Sequence, residues 1–290
     1  MLKRDEGAGA GSYTIRTMNR SEIDLAVEWA AREGWNPGLE DAECFFNADH
    51  GGFLIGMLGD NPVATISAVR YGISFGFIGF YIVRPEYRGM GFGLKIWNAA
   101  LARLEGRIVG LDGVVSQQDN YRRSGFSLAI RNVRVKGTGS AATATTENIV
   151  NLASIPLKEI LDYDLPFFPD ERRLFLEHWI SQSGHTAVGI LENGRLAGFG
   201  VVRPCRSGFK VGPLFADRPD LAESLFSRLK SSVPDGAPLF LDIPEANPAA
   251  LSLAHRHGMS VVFETARMYK GIAPLLPVDR IYGITTFELG

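Results

Sequence analysis

Between Val83 and Gly93 the chain reads Val-Arg-Pro-Glu-Tyr-Arg-Gly-Met-Gly-Phe-Gly. Arg88 is followed by glycines at alternate positions, Gly89, Gly91 and Gly93. These residue types at this spacing suit an anion. Glycine brings backbone N–H groups close to a phosphate, arginine adds a fixed charge, and the start of a helix adds a positive end. The flanks agree with that use. Phe75 to Val83 is apolar on both alternating faces, as a buried strand is. Leu94, Trp97, Leu101 and Leu104 form one helical stripe behind the glycines. The segment therefore points to a pyrophosphate-bearing ligand. A dinucleotide loop, G-x-G-x-x-G, would need glycine where Leu94 stands, and no Gly-Lys-Ser/Thr of a P-loop is present after it.

The spacing Arg88-x-x-Gly91-x-Gly93, after the turn Val83-Arg84-Pro85, resembles the pyrophosphate loop of the GNAT superfamily of N-acetyltransferases. The resemblance implies acetyl-CoA as co-substrate, with Arg88, Gly89, Met90, Gly91, Phe92 and Gly93 at its pyrophosphate. It also implies that the preceding strand bulges and splays from its neighbour. Backbone groups of Phe80, Tyr81, Ile82 and Val83 would then be free for the pantetheine arm and the thioester oxygen. Gly76 and Gly79 fit such an irregularity.

Acetyl transfer to an amine also needs proton management. A free alkylamine has a pKa near ~10 and must lose a proton before it attacks. The departing thiolate must gain one. Tyr121-Arg122-Arg123-Ser124-Gly125-Phe126 matches the family's Tyr-x-x-x-Gly-Phe segment and makes Tyr121 the expected general acid and a cofactor contact. The family's upstream Asn-x-x-Ala-x-x-Leu-Tyr is replaced by Val114, Gln117, Asn120 and Tyr121, so that asparagine's cofactor contact does not carry over. The base is open. Glu33 is the leading candidate, because it precedes Trp35 and Asn36 in the loop that borders the acceptor in this superfamily. Trp35 is expected to cover a substrate and Asn36 to fix a polar group. Glu40, Asp41, Glu43, Asp112 and Asp119 are further acids near the expected mouth or second catalytic segment.

The elements that must position these residues alternate between strand and helix patterns. Strands are expected at Tyr13–Arg16, Phe53–Leu58, Pro62–Tyr71, Phe75–Val83 and Arg107–Leu111, with Ile130–Val135 closing the sheet. Helices are expected from Ser21, over Leu39–Phe46 and over Leu94–Leu104, with a capping-type start at Ser21-x-x-Asp24. Residues 137–147 are small and polar, the composition of a linker. The chain beyond this linker reads as a degraded copy of the part before it. Lys210-Val211-Gly212-Pro213 aligns with Ile82-Val83-Arg84-Pro85, Leu239–Asp242 with the strand ending at Asp112, Gly258-Met259 with Gly125-Phe126, and Lys270-Gly271 with Lys136-Gly137. The copy lacks the arginine–glycine loop. It keeps Asn247-x-x-Ala250-x-x-Leu253, but Ala254 replaces the tyrosine. Asp279 to Gly290 is apolar enough to read as a docked terminal strand.

The expected organisation is a flexible tail (1–12), a catalytic GNAT domain (13–137), a linker (138–148) and a degenerate GNAT-like domain (149–290). The expected fold class is α/β (α+β), each domain a mixed, mostly antiparallel twisted sheet flanked by helices. A chain of 290 residues is long enough for two such cores. A net charge of −2 without a Lys/Arg run argues against nucleic acid or an anionic membrane as partner. No apolar run reaches spanning length and the start lacks a signal-peptide core. Cys44 and Cys205 have no metal spacing and the histidines form no ligand motif, so no metal is expected and a cytoplasmic setting is. The function expected is acetyl transfer from acetyl-CoA to a primary amine of a small molecule or amino-acid-like acceptor, by direct attack in a ternary complex, in a monomer or homodimer. A protein or peptide acceptor, and a non-catalytic acyl-CoA sensor, are the alternatives.

Overall fold

A computed structural model describes residues 12–140 and 148–290; the remaining tail and linker positions lie outside the described residues. The first half runs β1 (Tyr13–Thr17), α1 (Arg20–Arg32), α2 (Asp41–Ala48), β2 (Phe53–Leu58), β3 (Asn61–Tyr71), β4 (Phe75–Val83), α3 (Phe92–Arg103), β5 (Ile108–Val114), α4 (Gln118–Arg123) and β6 (Phe126–Thr138). The second runs β7 (Ile149–Asn151), α5 (Leu157–Asp164), α6 (Arg173–Trp179), β8 (Thr186–Glu192), β9 (Arg195–Pro204), β10 (Phe209–Ala216), α7 (Pro219–Lys230), β11 (Pro238–Pro244), α8 (Pro248–Arg256), β12 (Ser260–Lys270) and β13 (Ile281–Gly283). The apolar run of β4 spans Phe75–Val83, as its pattern requires. The cap of α1 is Asn19 rather than Ser21. Its Oδ1 accepts from Glu22 N–H at 3.1 Å, while Glu22 Oε2 accepts from Asn19 N–H at 2.9 Å, a reciprocal capping box.

All strands join one mixed, mostly antiparallel sheet in the order β1-β2-β3-β4-β5-β12-β6-β11-β10-β9-β8-β7, with β13 paired to β10. Residues Ile130–Val135 thus do not close the sheet of the first half. They lie in β6, which stands between β12 and β11, both from the second half. In turn β12 lies beside β5. Each exchanged strand brings an arginine opposite an aspartate. Arg134 of β6 is in register with Asp242 of β11, and its Nε and Nη2 donate to the carboxylate at 2.6 and 2.7 Å. Arg267 of β12 is in register with Asp112 of β5, at 2.8 and 2.5 Å. A third buried pair, Arg203 of β9 with Asp41 of α2, ties the halves at a separate point.

The apolar faces follow from the same layout. Helices α1, α2 and α6 share one core, with Phe45, Phe53, Phe77, Phe175, Trp179 and Phe199 drawn from both halves. Helix α3 covers the opposite face of β4 and β5 with Ile96, Trp97, Ala100 and Leu104. Helices α7 and α8 cover the second half. None of the helices among the described residues is long and apolar enough to cross a membrane.

The two halves repeat one order: β2-β3-β4-α3-β5-α4-β6 and β8-β9-β10-α7-β11-α8-β12. In each, the third strand meets the next one in parallel and only briefly, Phe75–Ile78 with Ile108–Leu111 and Phe209–Val211 with Leu239–Leu241. The third strand also shifts register against its hairpin partner at the end of that contact. Gly212-Pro213 lies at this irregularity in β10, so its counterpart is Phe80-Tyr81 of β4 and not the Arg84-Pro85 turn. A bulge tolerates proline because the ladder needs no donor there.

Breaking one of the exchanged pairs should be costly. Arg134→Met leaves Asp242 buried without its cation and should lower unfolding free energy by about 3–5 kcal/mol, read from the urea midpoint. Burial alone would raise the carboxyls of Asp242 and Asp41, but Arg134 and Arg203 beside them hold both below the ordinary aspartate value. Such groups add stability above their unfolded pKa of about 4 and lose it as pH falls through the folded one. The urea midpoint should therefore drop on acidification below about pH 4, and Asp242→Asn should make that drop shallower.

Candidate active site

Beyond Ile78, strand β4 has no ladder partner on its β5 side. Register against β3 shifts between Thr65 and Ser67, and Phe80 takes a left-handed φ of 49°. Thr65 Oγ1 donates to the Phe80 carbonyl at 2.9 Å, and Gly79 N–H donates to Ser67 Oγ at 2.9 Å, which holds the bulge in place. The gap between the diverging strands is a cavity of about 710 Å3. Gly79, Phe80, Tyr81, Ile82 and Val83 line one side, and Leu111, Gly113 and Val114 of β5 line the other. An extended ligand can therefore take up the backbone positions that β5 leaves.

At one end lies the arginine–glycine loop. Gly89 and Gly91 have φ of 77° and 84°, which a residue with a side chain adopts only with strain. Gly91 caps α3, so the N–H-rich end of that helix adjoins the cavity. Arg88 Nε donates to the Val83 carbonyl at 2.8 Å and its Nη2 meets Glu33 Oε1 at 2.5 Å. Arg88, Gly89, Gly91, Gly93 and Glu33 all line the cavity. Met90 is 59% exposed, and Phe92 is buried against Tyr13 and Tyr87. These two belong to the loop by backbone, and neither is among the lining residues.

Tyr121 of α4 lines the opposite wall, with its ring 5.5 Å from that of Trp97, which in turn stands 5.2 Å from Tyr81. Burial, with Tyr81 adding to it, pushes the Tyr121 phenol well above the ordinary tyrosine value, so it keeps its proton at neutral pH. Trp35 lines the cavity, whereas Asn36 does not. The Asn36 amide donates to the Ser207 carbonyl at 3.0 Å and accepts from Ser207 N–H at 2.8 Å. It pins the loop after α1 to the β9–β10 turn, and its φ of 53° is one that asparagine tolerates.

Most of the other acids are occupied elsewhere. Asp41 holds Arg203, Glu43 holds Arg20 and Asn47, and Asp119 pairs with Arg122 at the surface. Glu40 is exposed. Asp112 does line the cavity, but Arg267 and Asn132 take its carboxylate. The cavity has walls that the sequence did not point to: Phe263 and Thr265 of β12, and Phe287 and Glu288 near the end of the chain. Only the apolar character of residues 279–290 hinted that this segment docks, and a strand forms only at Ile281–Gly283.

The corresponding cleft of the second half is filled by the chain itself. Strand β13 pairs with β10 at Leu214 and Phe215, and Ile284 N–H donates to the Asp242 carbonyl of β11 at 2.9 Å. Asn247, which keeps the position of the cofactor-contacting asparagine, donates instead to the carbonyls of Asp279 and Ile281 at 3.2 and 2.9 Å.

Comparison with known proteins agrees with this geometry. Residues 20–126 match the model of the acetyltransferase (GNAT) family and residues 160–283 that of an acetyltransferase (GNAT) domain. Holothin acyltransferase of Pseudoalteromonas sp. (strain SANK 73390) is 30% identical over 279 residues, 96% of this chain and 95% of its own. The uncharacterized N-acetyltransferase YitH of Bacillus subtilis (strain 168) is 28% identical over 171 residues, 58% of this chain and 60% of its own. A solved structure from Pyrococcus horikoshii superposes over the whole of both chains with a TM-score of 0.82 at 24% identity. A tandem GNAT protein from the clavulanic acid biosynthesis pathway superposes with a TM-score of 0.61 at 12% identity, over 91% of this chain and 100% of its own. At these identities the two structures speak for the fold alone.

The environment of Tyr121 has a direct spectroscopic consequence. In a phenol titration, Tyr121→Phe should remove no group that ionises near the free value of about 10. Loss of a phenol titrating there would show that Tyr121 is open to water.

Proposed function

Because the chain belongs to the GNAT family of acyltransferases, we propose that it transfers an acetyl group from acetyl-CoA to a primary amine of a small-molecule or amino-acid-like acceptor, by direct attack in a ternary complex. One observation carries this reading: a single cavity joins the Arg88 loop, the unpaired edge of β4 and the buried Tyr121. Arg88 and the backbone of Gly89 to Gly93 hold the pyrophosphate. Tyr81, Ile82 and Val83 offer backbone groups to the pantetheine arm, and the N–H groups at the bulge polarise the acyl carbonyl as it becomes tetrahedral. The thioester supplies the activated acyl group. Tyr121, protonated at neutral pH, gives its proton to the leaving sulfur. The catalytic unit is residues 13–137, completed by β12 and by residues 281–290.

A small acceptor is favoured by the walls of the far end. Trp35, Phe263 and Phe287 surround it with aromatic surface, and two of the three come from the second half, where an open peptide groove would need clear space. The relative's name gives holothin as its acceptor; we extend to this chain only the chemistry of acylation at one molecule held within a pocket. Glu33, already at hydrogen-bond distance from Arg88, shares that arginine with the pyrophosphate when the ligand enters, and Trp35 covers the acceptor.

Calorimetric titration with acetyl-CoA, followed by thiol release over amines, amino acids and peptides, tests the reading. Arg88→Ala should weaken acetyl-CoA affinity about 10- to 100-fold, the loss of one or two charge-assisted contacts. Tyr121→Phe should leave affinity within about twofold and lower kcat by about 10²-fold or more. Binding without release on any amine would favour a sensor, and unchanged affinity in Arg88→Ala would remove the loop from the pyrophosphate.

A further inference from the structure

We infer that Glu288 is the general base that deprotonates the acceptor amine, an assignment that rests on the acyltransfer reading above. Among the described residues three carboxylates line the cavity: Glu33, Asp112 and Glu288. Glu33 meets Arg88, and Asp112 is held by both nitrogens of the Arg267 fork and by Asn132. Glu288 is 2% exposed, and among the described residues it makes no ion pair and its Oε1 has no hydrogen-bond partner. A buried, unpaired carboxylate oxygen in a ligand cavity is costly unless something that enters the cavity satisfies it.

Its surroundings are those of a positioned base. Thr286 Oγ1 donates to Glu288 Oε2 at 2.5 Å and accepts from Glu288 N–H at 2.8 Å, so one oxygen is fixed and the other is left over. The Glu288 carbonyl lies against Gly79, so close that a Cβ there would overlap it. Gly79 precedes the Phe80–Tyr81 bulge, where the acyl carbonyl is polarised. The carboxylate thus belongs to the residue that abuts the reacting end of β4. Arg134, Arg203 and Lys210 act on it electrostatically from β6, β9 and β10. Arg134 and Arg203 are committed to Asp242 and Asp41.

The segment that carries Glu288 is held along its length. Strand β13 sits in the cleft of the second half, where Asn247 grips it. Tyr71 Oη donates to the Leu289 carbonyl at 3.1 Å, and Arg172 Nη1 donates to the Gly290 carbonyl at 3.3 Å. The cleft that takes no cofactor loop thus serves as the seat of a strand, and that strand delivers an acid to the other cleft.

The step balances without a further reactant. An N–H proton of the acceptor passes to Glu288 Oε1. The freed lone pair forms the amide C–N bond as the thioester C–S bond breaks, and the sulfur takes the Tyr121 proton. The second proton left on the nitrogen passes through water to the Tyr121 phenolate, which gives the neutral amide and restores Tyr121, and the proton on Glu288 leaves to water. Phe263, Phe287 and Trp35, which line the same cavity as Glu288, suit an amine with an apolar body.

The test compares two acceptors of different basicity. Thiol release by the wild type on an alkylamine comes first; its absence would sink the proposed function and this assignment together. With that activity in hand, Glu288→Gln should bind acetyl-CoA within about twofold of the wild type. It should lose about 10²- to 10⁴-fold in kcat/KM on the alkylamine. On an arylamine, already neutral at the assay pH, the loss should be under about tenfold. Glu288→Asp should recover part of the alkylamine activity. Unchanged alkylamine turnover in Glu288→Gln would overturn the assignment alone. Equal losses on both acceptors would reduce Glu288 to a packing or ion-balance role beside Lys210, and a lowered urea midpoint would identify that outcome. If Glu33→Gln, and not Glu288→Gln, showed the basicity-dependent loss, the base would be Glu33.

Discussion

Two buried arginine–aspartate pairs hold the centre of the sheet, and the rest of the structure is arranged around them. Arg134 meets Asp242 across β6 and β11, and Arg267 meets Asp112 across β12 and β5. Burying four charges is expensive, and well-packed apolar residues can do as well for stability alone. What such pairs supply is register. A strand slipped by one residue would turn its arginine to the opposite face and strand both charges in the interior. The exchange of β6 and β12 is thereby locked into one arrangement, and the two halves become parts of one sheet.

That exchange is also why the cavity has the walls it has. A strand of the second half lies next to β5, so Phe263 and Thr265 reach a site whose glycine loop belongs to the first half. Asn36 and Arg203 add ties at the rim and beneath it. The aromatic end of the cavity is therefore a composite surface. A change in either half alters its shape, while the end at the arginine–glycine loop is built from β4, β5, α3, α4 and Glu33 of the first half.

The duplicated cleft illustrates how one backbone irregularity serves two ends. Strands β4 and β10 both part from their parallel neighbours after a short contact. The unpaired backbone groups exposed by such a split must find partners. In the first half they face a ligand cavity. In the second they face β13 and Ile284, an internal occupant that needs no phosphate loop. Replacement of the arginine–glycine loop by Asp217-Arg218-Pro219 is consistent with this, since an intramolecular strand brings no pyrophosphate to be held.

Much of the first half could be read from residue order, because it depends on local patterns. The apolar run Phe75–Val83, the glycines at 89, 91 and 93 and the Tyr121–Phe126 segment each declare an element and its neighbour within a few residues. Glycine at φ near 80° and an apolar stripe at helical spacing are constraints of the chain itself. The duplication was legible for the same reason, although Gly212-Pro213 drew the alignment to a turn instead of a bulge. Ile130–Val135 looked like a closing edge because a strand's own sequence does not say which strands flank it. Asn36 has the polarity of a ligand contact, yet a backbone far along the chain, at Ser207, claims its amide. Glu288 carries no local signature at all. Its place beside Gly79 exists only after residues more than two hundred positions apart are brought together by β12 and β13. Residue order was enough for the elements and the shape of the arginine–glycine loop, since those arise from short-range sterics and periodicity. Which strands exchange, which cleft is filled and which carboxylate is left without a partner were settled by the folded chain, since those depend on long-range pairing and on the competition of buried charges for each other.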